Sequence, residues 1–189
     1  METHPPSVLD PAASALLVVD IQERFRAAMA AFEEMLSGSR KLVTAFRSLG
    51  LPILVTEQYP KGLGRTVPEI LQALGEPAPG EIGEKTTFSS FGCAGVPERL
   101  ARLGTRSVLV CGIETHVCVH QSVQDLLAAG YKVHVAADAV GSRRAFDRES
   151  ALRRMERSGA VVTTCEMACF ELLRDARHPK FKDVQALFK

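Results

Sequence analysis

The chain has 189 residues, of which 46% are hydrophobic and 24% are charged, and its formal net charge is +1. This balance is typical of a globular protein with a full core and excludes a disordered chain. A charge so close to zero creates no bulk field, and no apolar run is long enough to span a bilayer, so we expect neither nucleic acid nor a membrane as a partner.

Five apolar segments in chain order predict buried strands, and helical patterns lie between them. The predicted strands cover residues 15–19, 53–55, 107–111, 132–136 and 160–163. Strands that alternate with helices indicate parallel βαβ units, and continuous apolar strands indicate a sheet covered on both faces. We expect one domain over residues 1–189, with its core at about 14–181, folded as a three-layer α/β/α sandwich with a mainly parallel sheet. The stretch 58–95, rich in Gly and Pro, is predicted to be loop with short helices.

Polar residues follow four of the predicted strands. Asp20, Gln58 and Asp138 come at or just after strand ends, and residues 112–118 follow the third strand. Ligands of open parallel sheets bind beyond the carboxyl ends of the strands. The functional site is therefore predicted at this edge of the sheet.

Asp20 and Lys85 are candidates for charged chemistry at this edge. Asp20 directly follows the apolar run 16–19, so burial is expected to raise the pKa of its carboxyl and to suit it to proton transfer. A structural or capping carboxylate is the alternative. Lys85 is the only cation within residues 81–92 that could neutralise both Asp20 and a thiolate, although a lone lysine in a loop is usually solvated.

Cys118 is the candidate nucleophile, because it is predicted to lie in the first turn of a helix with Thr115 as the N-cap. The helix dipole is expected to lower the pKa of the thiol there, and unpaired backbone N–H groups can form an oxyanion hole. The alternative is a buried structural cysteine.

The other cysteines and the nearby histidines suggest no second site. An odd number of cysteines, five, with no secretion signal in residues 1–10, favours reduced thiols and a cytoplasmic location. Cys111 is expected to be structural, Cys93 could be exposed, and Cys165 and Cys169 fit packing better than zinc binding. His116 and His120 do not share the helix face of Cys118, so both histidines are expected to be surface or capping residues.

Together these segments resemble the isochorismatase-like hydrolase superfamily. The resemblance is carried by residues 16–22, 84–91, 112–119 and 138–143, and it extends from about residue 14 to residue 181. It resembles most the small isochorismatase-domain proteins, which carry a stretch similar to residues 56–64. The resemblance implies the three-layer fold and a homo-oligomer, for which an apolar C-terminal tail offers a packing surface.

The resemblance also implies roles for individual residues. Asp20 would be the general base, Cys118 the nucleophile, and Lys85 would lie between them and stabilise the charges. A cis peptide between Ile113 and Glu114 would direct the N–H groups of Glu114 and Cys118 at a developing oxyanion. The expected lining of the substrate pocket comprises Gln22, Gln58, Phe91 and Ile113.

Two departures from family patterns limit the expected chemistry. Nicotinamidases of this superfamily bind a metal through an Asp and two histidines after the second strand, but no His lies between His4 and His116 here, so we expect neither metal nor cofactor. True isochorismatases act on a vinyl ether and lack the nucleophilic Cys that Cys118 provides.

The leading prediction is hydrolysis of a small amide or a related C–N bond. One alternative is isochorismatase-type vinyl-ether hydrolysis by Asp20 with Cys118 idle, and another is a non-catalytic binding protein on the same fold.

Overall fold

Six parallel strands form one sheet at the centre of the molecule, with the order β3-β2-β1-β4-β5-β6. The structure, a computed structural model, describes residues 8–189. The strands are β1 (Ser14–Val19), β2 (Ile53–Gln58), β3 (Ile82–Lys85), β4 (Ser107–Ile113), β5 (Lys132–Gly141) and β6 (Val161–Thr163). The two central strands, β1 and β4, are buried along their whole length, as their continuous apolar sequences predict.

Helices cover both faces of this sheet. In chain order they are α1 (Glu23–Arg26), α2 (Phe32–Leu49), α3 (Pro60–Leu63), α4 (Pro68–Leu74), α5 (Val96–Arg102), α6 (His120–Ala128), α7 (Ala145–Arg157), α8 (Cys165–Leu173) and α9 (Phe181–Gln185). A π turn, Thr115–Val119, precedes α6, and a 3₁₀ turn, Ser90–Gly92, follows β3.

Alternate residues of β1, β2, β4 and β5 contribute to two separate apolar clusters. Leu16 and Leu109 belong to the first cluster, together with residues of α2, α4, α8 and α9. Leu17 and Val110 belong to the second cluster, together with residues of α5, α6 and α7. Because successive side chains of a strand point to opposite faces, these clusters are the two interfaces of a three-layer sandwich. The predicted α/β fold with a parallel sheet is confirmed.

Strand β3 was not expected, because residues 58–95 were predicted to be loop with short helices. Its sequence, Ile82-Gly83-Glu84-Lys85, has no apolar run, and it pairs with β2 only along one edge of the sheet. The register places Lys85 beside Gln58. This pairing is what brings Lys85 to the carboxyl edge of the sheet.

Strand β5 continues beyond its predicted end at residue 136, with a register shift against β4 between Val110 and Gly112. The prediction that Asp138 follows a strand end is therefore wrong, because Asp138 lies within β5. Its Oδ1 accepts a hydrogen bond from the backbone N–H of Cys165 at 2.8 Å. Asp138 thus stabilises the start of α8.

Three further expectations concern the C-terminal tail, membrane-spanning helices and residues 1–7. Val184 of the C-terminal tail is fully buried, and Phe181 and Phe188 are partly buried against the first cluster of their own chain, so only part of the tail is left to contact a partner. Within residues 8–189, no helix combines the length and apolar character needed to cross a membrane. Residues 1–7, on which the expected absence of a secretion signal partly depends, lie outside the described residues.

Candidate active site

Strand ends bring Asp20, Lys85 and Cys118 together. Asp20 leaves β1 with a left-handed backbone, φ 52°, and its N–H donates to the carbonyl of Thr56 at 3.1 Å. Lys85 is the last residue of β3, and Cys118 lies in the π turn after β4. The exposed fractions of Asp20, Lys85 and Cys118 are 0%, 6% and 7%. The site is therefore a buried group of one carboxyl, one ammonium and one thiol.

Gly112 makes this arrangement possible at the end of β4. Its φ is 116°, and a Cβ at this position would lie 2.1 Å from the carbonyl oxygen of Val19. Only glycine tolerates both this backbone conformation and such a close approach. Strands β1 and β4 can therefore lie side by side up to the point where Asp20 and the Cys118 turn begin.

The Lys85 ammonium donates hydrogen bonds within this pocket of buried polar atoms. Its acceptors are Asp20 Oδ2 at 2.6 Å, Gln58 Oε1 at 2.7 Å, and the carbonyl oxygens of Phe88 at 3.0 Å and Thr87 at 3.2 Å. A buried ammonium is stable only when charge and hydrogen bonds compensate its desolvation, and here both are supplied. The alternative of a solvated surface lysine is wrong.

Burial raises the pKa of the Asp20 carboxyl, and the neighbouring Lys85 ammonium opposes this effect, followed by hydrogen bonds from Thr56 and Cys118. The direction agrees with the expectation from the apolar run that precedes Asp20. A carboxylate whose proton affinity is above its ordinary value is suited to accept a proton from a neighbour and to return it.

The thiol of Cys118 differs from its expected state. Burial raises its pKa to about 12, the negative charge of Asp20 adds to this effect, and Lys85 opposes it. The expected lowering of the pKa by a helix dipole is therefore wrong, because desolvation and a like charge outweigh the turn and the ammonium. At neutral pH the group is a thiol that lies beside the Asp20 carboxyl.

The backbone around Cys118 has an unusual course. The Ile113–Glu114 peptide bond is cis. The carbonyl oxygen of Glu114 accepts the N–H groups of Val117 at 3.0 Å and Val119 at 3.2 Å, on either side of Cys118. Thr115 was predicted to be the N-cap, which is wrong, because Glu114 takes that position and the Thr115 hydroxyl is buried without a partner.

The four predicted pocket residues lie in different surroundings. Gln58 contacts Lys85, and half-buried Phe91 packs against the second cluster, which contains Cys118. Gln22 is fully buried, its Nε2 donates to the carbonyls of Gln58 and Gly64, and its Oε1 accepts the N–H of Gln58. Ile113 is fully buried in the first cluster, on the opposite face from Cys118. The structure thus brings Gln58 to the site, makes Gln22 a support of Gln58, places Phe91 against the same apolar cluster as Cys118, and places Ile113 in the other cluster.

The remaining thiols and histidines lie outside this group. Cys93, which could have been exposed in a loop, is buried: it is 2% exposed and its Sγ lies 3.4 Å from the carbonyl oxygen of Glu84. His116 Nδ1 lies 3.0 Å from Ser142 Oγ, and His120 is half-buried. Among residues 8–189, no group of three or more His, Cys, Asp or Glu side chains is arranged to hold a metal.

Sequence reasoning did not identify three buried hydroxyl groups beside the site, which belong to Thr56, Ser90 and Ser122. Thr56 Oγ1 donates to Asp20 Oδ1 at 2.8 Å, and Ser90 Oγ lies 3.0 Å from Thr56 Oγ1. The hydrogen bonds that join Thr56 to Asp20, Ser90 to Thr56 and Ser90 to Ser122 span 32 to 36 residues of the chain, so no local spacing identifies them. The only signal was the hydroxyl-rich composition of residues 86–91.

A parallel sheet with a buried Asp, Lys and Cys at its carboxyl edge is the arrangement that the resemblance to the isochorismatase-like superfamily predicts. Residues 14–167 match the isochorismatase domain. Isochorismatase domain-containing protein 1 of Danio rerio is 43% identical over 185 residues, which cover 96% of this chain and 62% of that protein. The secreted isochorismatase effector Isc1 of Phytophthora sojae is 42% identical over 186 residues, covering 96% and 87%. The chain belongs to the isochorismatase domain family, although it spans less than two thirds of the Danio rerio relative.

Solved structures agree with this assignment. The MAR1 ribonuclease of Caenorhabditis elegans superposes with a TM-score of 0.87 at 44% identity, covering 95% of this chain and 91% of that one. The YcaC gene product of Escherichia coli, described as an octameric hydrolase of unknown specificity, has a TM-score of 0.83 at 22% identity and covers 98% of both chains. The second likeness concerns the fold alone.

Proposed function

We propose that this protein is a metal-independent cysteine hydrolase that cleaves a small amide or a related C–N bond. One observation carries the proposal: the Cys118 thiol lies beside the buried Asp20 carboxyl, which in turn lies 2.6 Å from the Lys85 ammonium. A nucleophile next to a base that a third group orients is the arrangement that nucleophilic catalysis requires.

In the first half of the reaction, Asp20 accepts the proton of the Cys118 thiol while the sulfur attacks the carbonyl carbon of the substrate. The carbonyl electrons move to the oxygen, and the N–H groups of Glu114 and Cys118 stabilise the oxyanion. When the tetrahedral intermediate collapses, the C–N bond breaks and the amine leaves with the proton from Asp20. Cys118 then carries the acyl group as a thioester.

In the second half, Asp20 accepts a proton from water as the water oxygen attacks the thioester carbon. The C–S bond breaks, Asp20 returns the proton to the sulfur, and a carboxylic acid is released. Because the pKa of Cys118 is raised, the thiol does not ionise in advance, and this route has its proton move to Asp20 during the attack. Lys85 remains a fixed positive charge that stabilises Asp20 whenever the carboxyl is ionised.

Other functions of this fold make different demands on the site. Vinyl-ether hydrolysis would use Asp20 and leave Cys118 idle, and a binding protein would use neither. The Caenorhabditis elegans structure is described as a ribonuclease, so RNA is a further candidate substrate. The contact between the Cys118 thiol and Asp20 favours acyl chemistry over these alternatives.

The proposal is tested by a hydrolysis screen over small amides, ureides, isochorismate and short RNA, with wild-type protein, Cys118→Ala and Cys169→Ala. We expect ammonia or amine release from an amide or ureide, loss of this activity in Cys118→Ala, and retention in Cys169→Ala, since Cys169 is buried in the first cluster. Chelator treatment should change nothing. Turnover of isochorismate or RNA alone, or activity lost with chelator, would contradict the proposal.

We also propose that the protein is located in the cytoplasm and that it forms a homo-oligomer. The five cysteines are free and buried, which is common in reducing compartments. The Phytophthora sojae relative is described as secreted, and the Escherichia coli neighbour as octameric. Cell fractionation and light scattering test the two proposals.

A further inference from the structure

A chain of buried hydroxyls leads away from the Asp20 carboxyl. Thr56 Oγ1 lies 2.8 Å from Asp20 Oδ1 and 3.0 Å from Ser90 Oγ. Asp20, Thr56 and Ser90 have no exposed surface. The reaction proposed above uses Asp20 but assigns nothing to the two hydroxyls, which come from different segments of the chain.

The positions of the hydroxyl protons follow from the number of protons available. An ionised carboxylate only accepts hydrogen bonds, so the single proton of Thr56 Oγ1 points to Asp20. Thr56 Oγ1 can then only accept from Ser90, so the Ser90 proton points to Thr56. Each hydrogen bond polarises the next, and the chain as a whole stabilises negative charge on Asp20 Oδ1.

The far end of this chain is fixed to the turn that carries Cys118. The backbone N–H of Ser90 donates to Ser122 Oγ at 2.7 Å, and Ser122 Oγ donates to the carbonyl oxygen of Cys118 at 2.6 Å. Ser122 is also fully buried. The base and the nucleophile are therefore connected through fixed hydroxyls as well as through their own contact.

We propose that Thr56 and Ser90 are positioning residues that orient the Asp20 carboxylate toward Cys118 and stabilise its ionised form, with Ser122 anchoring Ser90. The inference rests on the proposed function in that Asp20 is taken as the base. Desolvation favours the protonated carboxyl, which could not accept the thiol proton. The hydroxyl chain and Lys85 act in the opposite direction on the two carboxylate oxygens, Oδ1 and Oδ2 respectively.

A direct titration of Asp20 tests this inference without a substrate. The protein is labelled with ¹³C-aspartate, and the carboxyl resonance of Asp20 is the one missing in Asp20→Asn. In Thr56→Val and Ser90→Ala the titration midpoint of Asp20 should rise by about one pH unit, because each variant removes or weakens a hydrogen bond to the charged form. Thr56→Ser, which retains the hydroxyl, should restore the wild-type midpoint.

The matched control is Thr163→Val in β6, because the Thr163 hydroxyl is buried and has no hydrogen-bond partner. This variant should leave the Asp20 midpoint unchanged, and circular dichroism shows which variants are folded. If Thr56→Val does not fold, Ser90→Ala carries the test.

A double variant distinguishes a connected chain of hydrogen bonds, from Ser90 through Thr56 to Asp20, from two independent contacts. Since Ser90 acts through Thr56, Thr56→Val combined with Ser90→Ala should titrate like Thr56→Val alone. Midpoints equal to wild type in both single variants, or additive shifts in the double variant, would overturn the inference. Failure of the proposed function is a separate result: turnover that survives Cys118→Ala, whatever the Asp20 midpoint is.

Discussion

The Lys85 ammonium and the Asp20 carboxylate form an ion pair at 2.6 Å, and both side chains are 1% exposed. The pair joins the end of β3, at the edge of the sheet, to the end of β1 at its centre. Charges at this depth depend on each other, because removal of one leaves the other desolvated and uncompensated.

Lys85→Met should therefore lower the free energy of unfolding by about 3 kcal/mol at pH 7. The loss should shrink as the pH falls, because Asp20 takes up a proton and its uncompensated charge disappears. Urea denaturation at pH 7 and at pH 5 measures both effects. Lys61→Met, at an exposed position, is the control and should change stability by less than about 0.5 kcal/mol. Equal losses in the two variants would mean that the buried pair contributes nothing.

Cys118 should react with iodoacetamide at neutral pH faster than the other four cysteines, despite its raised pKa. Its exposed fraction of 7% exceeds the 2% or less of the others, and its thiol lies beside Asp20, which can accept the proton as the sulfur attacks. Asp20→Asn should slow the reaction by about a hundredfold. Peptide mass mapping measures labelling at each cysteine. Labelling of Cys118 that is no faster than that of Cys111, or that is unaffected by Asp20→Asn, contradicts the activation.

The protein should lose stability above pH 9. Burial raises the pKa of Cys111, Cys118 and Cys169 to about 12, from an ordinary value of 9.0. Since the folded pKa exceeds the unfolded one, the stabilisation is complete below pH 9 and is lost as the pH rises through the folded pKa. At pH 10 each such thiol should lower the free energy of unfolding by about 1 kcal/mol.

Between pH 8 and pH 10, the free energy of unfolding of Cys111→Ala should therefore fall by about 1 kcal/mol less than that of wild type. Val110→Ala, its neighbour in β4, is the control: it also truncates a buried side chain but removes no titrating group, so it should keep the wild-type pH dependence. Denaturation curves at the two pH values measure the difference. If the free energy of unfolding falls by the same amount in Cys111→Ala and in wild type, burial does not keep this thiol neutral.

Gly112→Ala should destabilise the fold by more than about 3 kcal/mol. The added Cβ would lie 2.1 Å from the carbonyl oxygen of Val19, and the backbone φ of 116° disfavours any side chain. Gly50→Ala is matched, because Gly50 also has a positive φ, 69°, in the left-handed helical region, and nothing lies within 4 Å of its added Cβ. It should cost only about 1 kcal/mol. Thermal unfolding compares the two, and equal losses would mean that the contact with Val19 relaxes freely.

Much of the fold could be predicted because five of the six strands carry their own apolar runs. Strand β3 could not be predicted, since Ile82-Gly83-Glu84-Lys85 is extended only through its pairing with β2. Asp138 was misplaced for a related reason: a register shift against β4 lets β5 continue past it.

The candidate site likewise has features that the sequence predicts and features that it does not. Asp20 and Cys118 follow clear strands, so their place at the carboxyl edge could be predicted, whereas the significance of Lys85 came from the resemblance. The electrostatic state of Cys118 could not be predicted, because the number of atoms that bury a thiol is a property of tertiary packing. Thr56 has no signal in the sequence, and Ser90 has only the hydroxyl-rich composition of residues 86–91, since each acts through a hydroxyl contact with a distant segment.

The central claim is that Cys118 forms a covalent acyl intermediate, and intact-protein mass spectrometry of the enzyme quenched during turnover tests it most directly. With an amide substrate from the screen, wild type should gain the mass of the acyl group on Cys118, and the adduct should disappear as the substrate is consumed. Cys118→Ala should form no adduct and lose turnover by at least about a thousandfold, as expected for removal of a nucleophile. Turnover at the wild-type rate in Cys118→Ala, without any adduct in wild type, would contradict the account and favour hydrolysis by Asp20 alone.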